Sequence, residues 1–291
     1  MPGEARWITS TSAGGLHAAA RMLAGAAPVD PKLATQQVAA EVDGLASDLA
    51  AVGLEPAPFF EHAIPLAVRF DSPLELADVA LRKILGPRLT DAPAQRLARR
   101  LQSLWAAIDQ ANPLALEELE LRSGPLREQW EARGPGLLAT VGRLTDQDLV
   151  VEGADVILVQ PVLGGGGSAH PLYNAVAIEA VLANPIGELP EIARLGWQWA
   201  QLNLDLPEYY DQVGRAAMTH VGPLAVLPAV LAAADEVELV TFDRRLLETA
   251  LGAWNAPAVD ADKLLRWWET YQASSLAWTV ALAALARMLD E

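Results

Sequence analysis

Apolar residues recur at helical spacing over most of the chain. Between Val38 and Val52 they follow one another at steps of four and three residues, and Gly53 closes the run. The same spacing continues over much of residues 73–142 and returns over residues 189–291. Because an apolar stripe on one face of a helix packs against a core, most of the chain is predicted to be helical.

A short strand is predicted within EPAPFFEHAIPLAVRF, residues 55–70. Apolar side chains alternate from Ile64 to Phe70, so they share one side of an extended chain. Pro65 lies inside this alternation and has no N–H to donate to a neighbouring strand. The strand is therefore expected at the edge of a sheet.

The character of the sequence changes near residue 148. LVVEGADVILVQPV, residues 149–162, is rich in Val, Ile and Leu and predicts one or two buried strands. NAVAIEAVLANP, residues 174–185, fits either a strand, by its alternation, or a helix, by its Ala and Glu content. The strand is the preferred interpretation, and it makes a hairpin-like pair around the glycines between the two segments.

These elements predict an α+β fold in which helices dominate. Helical N- and C-terminal parts are expected around a small sheet at about residues 148–183. A single domain, residues 1–291, is the expected organisation. An alternative subdivision separates a helical part, residues 1–145, from residues 146–291, which contain the sheet.

The composition excludes several classes of function. The chain has no cysteine, which removes disulfides, thiolate metal sites and cysteine nucleophiles. Its formal net charge of −16 argues against nucleic acid and membrane surfaces as partners. The first residues lack a secretory pattern, and the most apolar segment, Leu276–Ala286, is too short to span a bilayer. A cytoplasmic location is therefore expected.

Four consecutive glycines, Gly164–Gly167, follow the apolar run and are candidate ligand-binding residues. A glycine loop between a strand and a helix can bind a phosphate through its N–H groups. The P-loop pattern needs a lysine after its last glycine, whereas Ser168 and Ala169 stand here. A connection between two elements is the preferred interpretation of the loop.

Ser168, His170 and Glu179 are the candidate catalytic residues of an enzyme hypothesis. Ser168 and His170 are two residues apart and would share a face if the segment were a strand. The nucleophile pattern GxSxG is absent, and no two histidines have the spacing of HExxH. No metal and no cofactor are predicted.

Two further residues have structural or binding predictions. A buried Glu179 would need a partner, and Arg194 is the predicted one, in a structural ion pair. Trp267 and Trp268 are adjacent and lie about 100° apart around a helix, so they cannot face the same neighbour. Trp267 is therefore predicted at an interface with a partner chain.

The order of elements after residue 154 resembles the core of zincin-type metallopeptidases. The strand ADVILVQ, a loop, the strand NAVAIEAV and the helix LPEIARLGWQWAQLN follow one another over about 60 residues. In that family the helix after the edge strand carries HExxH, whereas residues 191–197 here contain no histidine. The resemblance implies a metal-free relative, and no catalytic residue is carried over from it.

The leading hypothesis is a non-enzymatic cytoplasmic protein that acts through contacts with an unknown protein partner. A metal-free zincin-like pseudoenzyme is one form of it. It follows from the missing catalytic patterns. The alternative is a hydrolase or small-molecule-binding enzyme with its site at the Gly164–Gly167 loop. That alternative requires Ser168, His170 and Glu179 to converge in a pocket.

Overall fold

In the computed structural model, which describes residues 3–88 and 90–290, a four-stranded sheet lies between two layers of helices. The strands are β1 (Glu4–Thr9), β2 (Gly153–Val159), β3 (Gly167–His170) and β4 (Ala175–Glu179). Their order in the sheet is β1-β2-β4-β3. β1, β2 and β4 are parallel, whereas β3 is antiparallel to β4 at one edge. The predicted helix-dominant α+β fold around a small sheet is confirmed.

Helices precede and follow the central part of the sheet. Those between β1 and β2 are α1 (Thr11–Leu23), α2 (Gln36–Ala50), α3 (Pro56–Leu66), α4 (Pro73–Leu85), α5 (Asp91–Ala111) and α6 (Ala115–Leu144). Those after β4 are α7 (Glu191–Trp199), α8 (Pro207–Tyr210), α9 (Arg215–Glu236), α10 (Arg244–Ala253), α11 (Ala261–Gln272) and α12 (Trp278–Asp290). Short 3-10 helices lie at Gln147–Leu149 and Pro171–Tyr173.

Each face of the sheet is buried in a separate core. Ile157 and Ala177 point into a core built with α1–α5, whereas Val156 and Ile178 point into a core built with α6, α7 and α9–α12. Because side chains alternate along a strand, neighbouring residues enter opposite cores. This two-sided burial explains why β2 is apolar at nearly every position.

The predicted strand at residues 64–70 is wrong, because residues 56–66 form α3. Pro56 occupies the first turn of that helix, where its missing N–H costs nothing. Phe60, Ala63 and Ile64 are buried at helical spacing. Pro65 lies near the end of α3 and has no N–H to donate to the carbonyl of Glu61, four residues earlier.

The preferred strand at residues 174–183 is confirmed for 175–179, but the hairpin-like pair is wrong. β4 runs parallel to β2, since the chain first returns through β3 at the sheet edge. β1 was not predicted. It is a partly exposed edge strand without an apolar run, and its partner β2 lies about 150 residues away along the chain.

The predicted interface residue Trp267 is buried, and the prediction is wrong. Its side chain is 7% exposed, and its ring stacks on Tyr271 with centroids 6.3 Å apart. The chain turns between Gln272 and Trp278, so the start of α12 covers this side of α11. The indole N–H of Trp267 donates to the carbonyl of Ala281 at 3.0 Å.

In the described ranges one helix, α9 (Arg215–Glu236), is long and apolar enough to cross a membrane by length and composition. Two thirds of its most apolar part, 67%, is buried inside the fold. It packs against α6, α7, α11 and α12. A helix that is surrounded on all sides needs no polar face, which accounts for its composition.

Candidate functional site

Chemically active side chains gather at the carboxyl ends of the parallel strands. α1 follows β1 and carries His17 and Arg21, the glycine loop follows β2, and Glu179 is the last residue of β4. Carboxyl ends of parallel strands lie at one edge of a sheet, which is where open α/β sheets bind their ligands. The same arrangement brings the glycine loop and Glu179 together here.

The glycine loop binds a carboxylate of its own chain. The backbone N–H of Gly165 donates to Oε2 of Glu179 at 2.8 Å, and the N–H of Leu163 donates to the same carboxylate at 3.0 Å. Glu179 is fully buried. The loop is therefore built to hold an anion, as its glycines indicate, but Glu179 occupies these two N–H groups and a phosphate cannot use them.

Two of the glycines are required by this close approach. Gly165 has a φ of +136°, and a Cβ there would lie 2.5 Å from Cγ of Pro185. A Cβ on Gly166 would lie 3.0 Å from Oε1 of Glu179. Any larger residue would strain the backbone at the first position and push the carboxylate away at the second.

His17 completes the environment of Glu179. Its Nε2 lies 3.1 Å from Oε1 of Glu179, and its side chain is 1% exposed. Burial lowers the pKa of His17, although Glu179 acts in the opposite direction. Burial alone would raise the pKa of Glu179, but the hydrogen bonds from His17, Leu163 and Gly165 hold it below its ordinary value. A neutral His17 that donates to an ionised Glu179 is the pair that fits both directions.

Arg194 forms its ion pair with Glu191, and the predicted Glu179–Arg194 pair is wrong. Nη2 of Arg194 lies 3.3 Å from Oε1 of Glu191, one turn earlier on α7. Glu179 shares the sheet face of Ala177, which packs on α1, whereas α7 lies on the opposite face. The alternation of side chains along β4 therefore directs Glu179 towards His17.

Glu191 has an unusual acidity as a result of its position. Its side chain is 4% exposed, and burial raises its pKa to about 7, although Arg194 opposes the change. Glu179 adds a smaller repulsion. This carboxyl group therefore changes its charge near neutral pH.

Ser168 and His170 are hydrogen-bonded, as the enzyme hypothesis requires. They lie two residues apart on β3 and share a face, with Ser168 Oγ 3.0 Å from His170 Nε2. Nδ1 of His170 lies 3.1 Å from the backbone carbonyl of Glu61 and 3.5 Å from its Oε2. A carbonyl can only accept, so Nδ1 carries the proton and Nε2 is free to accept from the serine hydroxyl.

Glu179 does not take part in this group, and its predicted catalytic role there is wrong. Its carboxylate is held by His17 and the glycine loop, and it does not line the pocket with Ser168. Glu61 of α3 stands in the third position instead. The structure therefore brings together two of the three predicted residues.

These groups line a pocket of about 380 Å³ between α1, α3 and β3. Ser168, His170, Arg21 and His17 form its polar end. The remaining wall is mainly apolar and includes Leu23, Ala24, Ala57, Phe60 and Ile64. Binding sites for small molecules have this volume and this combination of an apolar wall with a few convergent polar groups.

Three residues of the site were missed by the sequence predictions. His17 and Arg21 are four residues apart, so they share one face of α1, and this spacing was the available signal. Glu61 was hidden by the wrong assignment of residues 64–70, since a strand nearby gave no reason to place it beside His170.

Within residues 3–88 and 90–290, no three His, Asp or Glu side chains form a group that could hold a metal ion. Comparisons with protein-family models, with curated proteins and with solved structures find no match. The chemistry of the site is therefore inferred from its own residues.

Proposed function

We propose that this protein is a hydrolase of small esters or amides, with Ser168 as nucleophile and His170 as general base. One observation carries the proposal: Ser168 Oγ lies 3.0 Å from Nε2 of His170 on the wall of a pocket. A nucleophile and a base within hydrogen-bond distance, with the base oriented by a third group, are the elements of acyl transfer.

The reaction would proceed in two steps, acylation of Ser168 and hydrolysis of the acyl-enzyme. Ser168 Oγ attacks the acyl carbon while its proton moves to Nε2 of His170, and the same proton then leaves with the alcohol or amine. The acyl group remains on Oγ. Water then attacks the acyl carbon, gives a proton to Nε2 and releases the acid, and the serine recovers its proton from His170.

The surroundings of His170 support this role. The Glu61 carbonyl fixes the tautomer and the orientation of the ring. The Glu61 carboxylate, 3.5 Å from Nδ1, stabilises the imidazolium that forms during the reaction. The Glu61 side chain is 37% exposed, so solvent screens this electrostatic contribution.

Arg21 provides positive charge near the reacting group. Its guanidinium donates to the carbonyl of Gly167, the residue before Ser168, and it lines the same pocket. A carbonyl oxygen that gains negative charge during attack would be stabilised from this side. The apolar wall opposite favours a substrate with a short hydrocarbon group.

The missing motifs still support the non-enzymatic hypothesis. Trp267 cannot be its partner interface, because that side chain is buried. An unknown protein partner and the metal-free zincin-like form of that hypothesis stay predictions. The cytoplasm is the proposed location of the hydrolase.

The test is covalent labelling of the full chain with a fluorophosphonate, together with hydrolysis of p-nitrophenyl butyrate. The wild type should be labelled at Ser168 and should release p-nitrophenol, and Ser168→Ala should do neither. Ser103→Ala is the matched control, because Ser103 is exposed on α5 away from the pocket. Turnover and labelling that survive Ser168→Ala would refute the proposal.

A further inference from the structure

A second, much smaller cavity lies behind the glycine loop. Its volume of about 10 Å³ is enough for one particle of about the size of a water molecule. It is lined by the loop residues Gly166 and Gly167, by Arg21, by Arg194 and Gln198 of α7, and by Trp254. It is separate from the pocket that holds Ser168, although Arg21 borders both.

The lining side chains present hydrogen-bond donors that lack acceptors. Arg194 is 3% exposed, and its Nε and Nη1 have no hydrogen-bond partner among the described residues. The indole N–H of Trp254 is also buried without a partner there. Leaving such groups unsatisfied is costly, so an acceptor is expected between them.

Two backbone carbonyls that border the cavity already accept hydrogen bonds. The oxygen of Gly166 accepts the N–H of Glu179 at 2.9 Å, and the oxygen of Gly167 accepts Arg21. A water molecule donates as well as accepts, and the side-chain oxygens of Gln198 and Asn255 in the lining are the acceptors it would use. A halide ion only accepts hydrogen bonds, and the unpartnered groups of Arg194 and Trp254 are all donors.

The charges around the cavity also favour an anion. Arg21 and Arg194 are close enough to repel, since Arg21 lowers the pKa of Arg194 after the larger effect of burial. Glu179 balances one of the two charges, and Glu191, which pairs with Nη2 of Arg194, balances the other only when the pH is above its raised pKa of about 7. Below that pH, one monovalent anion between the guanidinium groups would balance the second charge.

We propose that this cavity binds a single halide ion, chloride in the cell, held by Arg194, Arg21 and the indole N–H of Trp254. The volume admits one atom and excludes phosphate and sulfate. The proposal does not depend on hydrolysis at Ser168, so either can fail without the other.

The direct experiment is a crystal of the full chain grown in sodium bromide and measured at the bromine absorption edge. An anomalous peak is expected in the cavity, beside Arg194 and Trp254 Nε1. Bromide peaks confined to the protein surface would overturn the proposal, and so would a water molecule in the cavity at high bromide concentration.

Thermal unfolding gives an independent measurement. At equal ionic strength the melting temperature should rise with chloride or bromide relative to gluconate, because a ligand that binds the folded state stabilises it. Trp254→Phe removes one donor and keeps an aromatic ring. It should raise the halide concentration for the half-maximal effect about tenfold, the usual size of one hydrogen bond to a charged group.

Two variants serve as controls. Trp105→Phe makes the same change at an indole that donates to the carbonyl of Ser12, away from the cavity, and should keep the wild-type halide response. Arg194→Gln should abolish the response if it folds, and Trp254→Phe provides the test if it does not. An equal response in wild type and Trp254→Phe would contradict the proposal.

Discussion

His17 and Glu179 form a fully buried pair whose atoms Nε2 and Oε1 lie 3.1 Å apart, across 162 residues of sequence. The pair joins α1 to the end of β4, and the N–H groups of the glycine loop hold the other side of the carboxylate. It therefore connects three segments of the chain beneath the proposed catalytic pocket.

Glu179→Gln should destabilise the protein by about 3 kcal/mol, since loss of the buried carboxylate leaves hydrogen-bond donors around it unsatisfied. The amide nitrogen of Gln cannot accept from the loop N–H groups. Urea unfolding measures the change. Glu208→Gln, the same substitution at an exposed position, should stay within about 0.5 kcal/mol of wild type. Equal effects of the two substitutions would contradict the role of Glu179.

Gly165→Ala should destabilise the protein by about 2 kcal/mol, because its φ of +136° and the nearby Pro185 leave no room for a methyl group. The matched control is Gly252→Ala on α10, where a Cβ would meet nothing within 4 Å. That substitution should stabilise the helix by about 0.5 kcal/mol. Thermal or urea unfolding shows whether the two substitutions have opposite signs.

Glu191→Gln should change the pH dependence of stability. The pKa of Glu191 is raised from 4.5 to about 7 in the folded state, so the folded protein binds more protons than the unfolded chain between these values. Its contribution is therefore most favourable below pH 4.5 and is lost as the pH rises through 7. Gln cannot ionise and avoids this loss.

We compare the free energy of unfolding of Glu191→Gln with that of the wild type. Between pH 4.5 and pH 8 this difference should shift by about 3 kcal/mol in favour of the variant. Urea unfolding at several pH values between these limits measures the difference. Subtraction of the wild-type curve removes contributions from His17 and other groups common to both proteins. A difference independent of pH would show that Glu191 is ionised throughout the range.

His170→Gln should lower kcat for p-nitrophenyl butyrate about 10³-fold, the ordinary contribution of a positioned general base. Glu61→Gln should lower it only about tenfold, because the backbone carbonyl that orients His170 is unchanged. Steady-state kinetics and the rate of fluorophosphonate labelling both report the difference. Equal losses in the two variants would show that the Glu61 carboxylate, not its carbonyl, positions the ring.

Local patterns were sufficient for most helices and for the central sheet. Val38 to Leu49 gave α2 because one helix face contacts one core, and the apolar run 154–159 gave β2 because both faces are buried. β1 could not be predicted in this way. It pairs with β2, which lies about 150 residues further along the chain. Its partly exposed side chains show no clear alternation of apolar and polar residues.

The candidate site was predictable only where it is local. Ser168 and His170 share a face because they are two residues apart on a strand, and the sequence contains that spacing. Glu61 reaches His170 from a helix 109 residues earlier, and His17 reaches Glu179 across a still longer separation. Such contacts depend on how α1 and α3 pack over the sheet, which no local pattern contains.

The glycine loop is an anion site whose ligand is tethered to it. Glu179 is only 14 residues from Gly165 along the chain. Its effective concentration at the loop is therefore set by the connecting segment and does not depend on the anions in solution. A free phosphate would have to compete with that tethered carboxylate at every moment. The order of the loop, and with it the position of Ser168, is thereby independent of the phosphate content of the surrounding solution.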